Sequence, residues 1–256
     1  MTTTARSYEL ERQVVIQAEP ATVFRYFTDT PRWASWWGTG STIEPKVGGR
    51  VVICHPGGIA VVGEVLEIAP DAALTFTYSM ANGKPPQGSV VTIRLDEAED
   101  GATRLHLTHA FVEESSRDEH VQGWRYQLAV FGNLVANEVM RDAATAVDGW
   151  FAAWSQPDAS LREAALTPLV SPGVCFRDRF SLIEGIEDLK PHLAAVHRFM
   201  PGMRLARDGE IRHCQGLVLA DWVAHSVDGQ ERGRGTNLFA FGPDGRLLAI
   251  TGFWNS

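Results

Sequence analysis

The chain of 256 residues has three cysteines, no clustered lysine or arginine, and no glycine-rich phosphate loop or nucleophile elbow. Each shortage excludes something. Cys54, Cys175 and Cys214 are odd in number and scattered, and each lies in a strand-like run. That pattern argues against a disulfide framework or a cysteine metal site and for reduced core thiols. No apolar run reaches the roughly 18 residues that a membrane helix requires. The opening MTTTARSYEL also lacks a basic start followed by an apolar stretch, so the expectation is a soluble cytoplasmic protein. Net charge is -8, with 12 basic against 18 acidic side chains in residues 1–145 and 11 against 13 in residues 146–256. Neither half offers the concentrated positive charge that phosphate backbones or anionic membranes demand, so nucleic acid and membrane are not expected partners. The missing motifs imply no cofactor and no metal.

What the chain does have is length for two domains and eight tryptophans. From Gly123 to Trp154 apolar residues recur every three or four positions: Trp124, Leu128, Phe131, Val135, Val139, Ala143, Val147, Phe151 and Trp154. One helical face is therefore apolar throughout. Strand-rich sequence ends before this seam, and new helix and strand signals follow it. Arg141, Asp142 and Asp148 interrupt its apolar character between Met140 and Val147, which predicts domains over residues 1–143 and 144–256.

Before the seam, Glu19-Pro20 opens a helix carrying Val23, Phe24 and Phe27. Trp33, Trp36 and Trp37 crowd one face of a short helical turn. Six strands follow the alternation of apolar residues: Tyr8 to Ala18, Arg50 to His55, Ala60 to Ile68, Leu74 to Tyr78, Ser89 to Leu95 and Thr103 to Phe111. Phe76 shares a face with Leu74 and Tyr78. Leu105, Leu107, His109 and Phe111 share another, so His109 faces the helix side while His106 points away. An antiparallel sheet over a long helix is the expected α+β arrangement.

The ordered set Ala18-x-Pro20-x-x-Val23-Phe24, Trp33-x-x-Trp36-Trp37-Gly38, Gly48-Gly49, Gly63-Glu64-Val65-x-Glu67-Ile68, Gly101-x-Thr103-Arg104-Leu105-x-Leu107-Thr108-His109 and Gly123-Trp124 resembles the Hsp90-ATPase-activator-homolog-like family. That family sits within the START-like, Bet v 1-like helix-grip superfamily, and the resemblance spans residues 8 to 141. It implies a cavity between curved sheet and C-terminal helix. Candidate ligand contacts there are Trp33, Trp36, Trp37, Phe76, His109, Trp124 and Phe131. For His109 the alternative is a neutral core histidine tied to a neighbouring side chain, and for the tryptophans a cap on the core.

Beyond the seam, helices are expected over Ser160 to Val170 and Gly185 to Phe199, then four strands from Arg204 to Trp254. The helix Asp148 to Trp154, Val174-x-Phe176-x-Asp178, Gly185, and Pro243-Asp244-Gly245-Arg246 through Gly252-Phe253-Trp254 resemble the SnoaL-like, NTF2-like family. This resemblance covers residues 145 to 255 and implies an α+β cone. By its ketosteroid-isomerase branch, Asp178 stands where a proton-abstracting carboxylate is placed; the alternative is a strand-ending aspartate that bonds turn amides or pairs with Arg177 or Arg179. Trp150 and Asn237 stand where that branch has its oxyanion-stabilising donors. Strand parity groups His213 with Ile211 and His225 with Val223; with His197 they complete the candidate ligand contacts of the cone. A strand glycine pair, Gly233 and Gly235, signals a bulge or a close backbone approach.

Three readings stay open. One is a binder of small apolar molecules, lipid-like, polyketide-like or steroid-like, in one or both halves. The second is a cofactor-independent cyclase or isomerase using Asp178. The third is an interaction module, including a homodimer through the C-terminal half, for which Trp222 is an outward candidate.

Overall fold

The computed structural model describes residues 7–255. It forms two compact units, Met1–Ala136 and Asn137–Ser256, each built from α and β elements. The division falls before the expected 143/144.

The first unit contains β1 (Tyr8–Ile16), α1 (Pro20–Thr28), α2 (Thr30–Trp37), β2 (Thr42–Ile43), β3 (Arg50–His55), β4 (Ile59–Ala69), β5 (Ala73–Met80), β6 (Ser89–Glu97), β7 (Thr103–Phe111) and all of α3 (Glu114–Val139) but its last three residues, which belong to the second. One antiparallel sheet orders them β1-β7-β6-β5-β4-β3-β2. The seventh strand, β2, is only two residues long, too short for an alternation to reveal it. Pro20 starts α1 at a position where its missing N–H costs nothing. The Asp29 carboxylate caps α2 by accepting from the Arg32 amide at 3.0 Å. On β7 the residues Thr103, Leu105, Leu107, His109 and Phe111 are all buried, and their alternation gives the strand its inward face. The core centres on Phe131 of α3, stacked on Phe27 at 4.9 Å and met edge-on by Trp36 at 4.8 Å.

The seam is two helices. Helix α3 ends at Val139 and α4 (Ala143–Ser155) begins after Met140, Arg141 and Asp142. The second unit continues with α5 (Ala159–Leu169), β8 (Val170–Arg177), β9 (Leu182–Glu184), α6 (Ile186–Phe199), β10 (Arg204–Cys214), β11 (Leu217–His225), β12 (Glu231–Phe241) and β13 (Leu247–Trp254). Its sheet runs β10-β11-β12-β13-β8-β9, with β13 and β8 parallel. Helix α4 packs on β10 and α6 on β8. The inward face of β11 is Val218, Ala220, Trp222 and Ala224.

That register corrects several expectations. His225 lies on the opposite face of β11 from Trp222, and His213 is exposed on edge strand β10, where Nδ1 lies 2.9 Å from Asn137 Oδ1. Trp222 points inward and is 4% exposed, so it is not an outward contact. The cysteines are free thiols, but Cys214 is exposed and only Cys54 and Cys175 are half-buried. Gly235 does mark a close approach. A Cβ there would strike the Phe253 carbonyl and lie 2.7 Å from the Trp222 ring.

Among the described residues no helix is long and apolar enough to cross a membrane.

Candidate functional site

In the first unit, the C-terminal ends of β3 and β5 and the first half of α3 surround a cleft of about 410 Å³. Its aromatic wall is Trp37, Tyr78 and Trp124, with the two indoles at 5.5 Å and 73°. Ile59, Met80, Pro85 and Pro86 supply aliphatic surface, and Gly123 leaves a gap in the helix wall. Two imidazoles enter this apolar setting. His55 lies edge-on to Trp37 at 5.4 Å, and its Nε2 is 3.5 Å from the Tyr78 hydroxyl. His120 holds its Nδ1 2.7 Å from the Ser116 carbonyl. Burial lowers the pKa of both, and for His55 the neighbouring His120 adds to the effect. Burial also pushes the Tyr78 phenol upward. The interior is therefore uncharged near neutrality.

His109 stands behind this wall. It is fully buried, accepts from Trp124 Nε1 at 2.9 Å through Nδ1, and places Nε2 2.9 Å from Ser89 Oγ. The Ser89 hydroxyl donates onward to the Tyr78 carbonyl at 2.7 Å. Both ring nitrogens are thus engaged by protein, which fits the neutral core alternative. The Nε1 groups of Trp33 and Trp36 donate to the carbonyls of Val52 and Tyr26, so these two indoles cap the core. Phe76 and Phe131 are core residues as well. Of the seven expected contacts, Trp37 and Trp124 line the cleft. His55, Tyr78 and His120 were not singled out from sequence; the placement of Tyr78 on the face of Leu74 and Phe76 was the available signal.

In the second unit, Asp178, Asn237 and Trp150 do converge on one cavity, completed by Trp154, Phe176, Leu205, Trp222, Gly252 and Trp254. It measures about 40 Å³, room for water rather than for a ring system. The rings box one another, with Trp222 and Trp254 at 5.0 Å and 85° and Trp154 and Phe176 at 5.1 Å and 61°. Asp178 is half-buried: Oδ1 accepts from the Phe180 amide at 2.8 Å and Oδ2 from Trp254 Nε1 at 3.1 Å. The first of these is a turn bond of the kind a strand-ending aspartate makes. His197 sits outside the cavity on α6. His192, not anticipated, lies edge-on to Trp154 at 5.8 Å. Burial lowers its pKa and the Asp178 charge opposes that. Among the described residues no group of three or more His, Cys, Asp or Glu is arranged to hold a metal.

Residues 17–136 match the model of the family described as activator of Hsp90 ATPase homolog 1-like protein. Among curated proteins, none matches the chain. Similar solved structures include a SnoaL-like family protein of Agrobacterium tumefaciens, 21% identical over 44% of this chain and 97% of its own, with a TM-score of 0.43. The Aha1 dimer of Colwellia psychrerythraea is 18% identical over 48% of this chain and 91% of its own, at 0.42. CalU16 of Micromonospora echinospora is 27% identical over 52% of this chain and 79% of its own, at 0.42. The N-terminal half thus resembles the activator-of-Hsp90-ATPase-homolog-1-like family.

Proposed function

We propose that the protein binds a small apolar molecule in the cleft of its N-terminal unit. The observation that carries this reading is the cleft itself: about 410 Å³, walled by aromatic and aliphatic side chains. Sites for small organic ligands usually span roughly 300–1,000 Å³ with such linings. The test uses N-phenyl-1-naphthylamine, an uncharged probe that fluoresces in apolar surroundings, and a variant that plugs the cleft. A Cβ on Gly123 meets nothing within 4 Å. Gly123→Leu therefore adds apolar bulk at the edge of the cleft from a position where the Cβ is unobstructed and, as a glycine replaced inside a helix, leaves the fold at least as stable. The wild type binds the probe and Gly123→Leu does not; equal binding by both excludes the cleft.

A second reading is supported by the convergence of Asp178, Asn237 and Trp150 on one cavity in the C-terminal unit. On that reading Asp178 removes a proton beside a carbonyl, and Asn237 and Trp150 donate to the oxygen. The cavity of about 40 Å³ then has to widen to admit more than a reacting fragment. Proton–deuteron exchange of a ketone such as cyclohexanone, faster with wild type than with Asp178→Asn, supports it; equal rates exclude it.

A further inference from the structure

The four indoles of the first unit do not have the same hydrogen-bond status. Trp33, Trp36 and Trp124 spend Nε1–H on Val52, Tyr26 and His109. Trp37 Nε1 is buried and has no partner among the described residues, and Trp37 lines the cleft. A buried donor left without an acceptor is costly, so this position favours a ligand that brings one. The complementary group is His120. Its Nδ1 lies 2.7 Å from the Ser116 carbonyl, which only accepts, so Nδ1 carries the hydrogen. In the neutral imidazole Nε2 is then an acceptor. The cleft lining therefore carries an unspent donor, which a small movement of the buried Trp37 ring has to bring to the cleft surface, and an acceptor on His120.

Charge narrows the choice further. His55, Tyr78 and His120 are held uncharged by burial, and Glu119 is exposed. A carboxylate or phosphate entering this interior meets no counter-charge to offset its desolvation. A hydroxyl is the smallest uncharged group that both accepts and donates.

We propose that the cleft recognises an uncharged hydroxylated aromatic molecule, with Trp37 Nε1 donating to the hydroxyl oxygen and His120 Nε2 accepting the hydroxyl hydrogen. This rests on the cleft being the binding site. Equilibrium dialysis of the full chain against naphthalene, 2-naphthol, 2-methoxynaphthalene and 2-naphthoate tests it at neutral pH. The expected order places 2-naphthol about tenfold or more above naphthalene, the factor one or two hydrogen bonds supply. The methoxy compound, lacking the hydrogen, falls below 2-naphthol, and naphthoate binds least. In His120→Phe, or in Trp37→Phe should the first variant fold poorly, the advantage of 2-naphthol shrinks severalfold. Equal binding of naphthalene and 2-naphthol to the wild type overturns the proposal, as does naphthoate binding as well as 2-naphthol. If Gly123→Leu still blocks every compound in those cases, the cleft reading stands and only the hydroxyl assignment falls. If no compound binds in a Gly123-dependent way, both fall.

Discussion

Trp124 Nε1 donates to His109 Nδ1 at 2.9 Å, and that bond fixes the tautomer of a fully buried imidazole. The hydrogen of His109 must then sit on Nε2, directed at Ser89 Oγ, whose own hydrogen goes to the Tyr78 carbonyl. A second proton on Nδ1 would face the Trp124 N–H. The relay joins β7, β6 and β5 to α3 and backs the wall of the cleft.

The consequence is a pH dependence of stability. Burial holds the His109 pKa well below its ordinary 6.5, with His120 as a smaller cause in the same direction. Above pH about 6.5 folded and unfolded chains both carry neutral His109. Below it the unfolded chain takes up a proton that the folded chain refuses, so stability falls as pH drops, by up to about 1.4 kcal/mol per pH unit for each such group. His55 and His120 are lowered too and act in the same sense. Urea unfolding followed by tryptophan fluorescence at pH ~7.5 and ~5.5 should show this loss. His109→Phe should cost about 1–3 kcal/mol at the higher pH, because Trp124 and Ser89 lose a partner. Its stability should also fall less steeply with acid; an unchanged slope would rule out His109 as a contributor.

The inward direction of His109 was legible because Leu105, Leu107 and Phe111 share its face of β7 while Arg104, His106 and Thr108 take the other. Its partners were not, since Ser89 and Trp124 reach it only through strand pairing and helix packing. The same holds for the cleft: His55, Tyr78 and His120 come from two strands and a helix that no local pattern connects. On β11 the pattern misled. Leu217, Leu219 and Val223 are apolar on one face and Val218, Ala220, Trp222 and Ala224 on the other, so periodicity could not choose between them. The one polar marker was Asp221, which accepts from Thr236 Oγ1 and lies on the face of His225. Asp178, Asn237 and Trp150 were legible only through family resemblance, because three distant segments supply them.

Two glycines of the C-terminal sheet should differ sharply on substitution. At Gly235 an added Cβ collides with the Phe253 carbonyl and the Trp222 ring at 2.7 Å, and backbone on β13 cannot yield cheaply. At Gly252 the same atom comes 3.2 Å from Asn237 Oδ1, which a side-chain shift can relieve, and 3.2 Å from Asp178 Cβ, where a few tenths of an ångström of backbone movement suffices. Gly235→Ala should therefore cost about 3 kcal/mol or more, and Gly252→Ala about 1 kcal/mol, within the range for overpacked positions. Thermal unfolding monitored by circular dichroism checks the order, and a reversed order would contradict the packing described for β12 and β13.

Arg162 is 4% exposed and donates through Nη1 to the Gln156 carbonyl at 2.7 Å and the Pro157 carbonyl at 3.3 Å, tying down the end of α4. Arg162→Met keeps much of the volume but removes the charged donor from both carbonyls, of which the half-buried Gln156 one is the harder for water to satisfy, a loss of about 1–2 kcal/mol. The same variant should move His197, whose pKa is lowered first by burial and then by the Arg162 charge. Removing that charge should raise the His197 pKa in an NMR titration. A downward movement would mean that Arg162 does not act on it through charge.

Asp178 offers a stability test independent of any chemistry. Its Oδ1 accepts from the Phe180 amide and its Oδ2 from Trp254 Nε1, so the carboxylate binds the β8–β9 turn to the last strand. In Asp178→Asn one oxygen remains for the Phe180 amide, while the new NH2 faces the Trp254 N–H, donor against donor. The variant should lose about 1–2 kcal/mol. The near-ultraviolet circular dichroism of the Trp222–Trp254 pair, 5.0 Å apart, should change as Trp254 loses its anchor. Asp178→Glu, which keeps two acceptors but lengthens the arm, should restore part of the stability. If Asp178→Asn is as stable as wild type with an unaltered spectrum, the Trp254 bond does not hold the turn, and the aspartate is left without a structural reason for its place at the cavity.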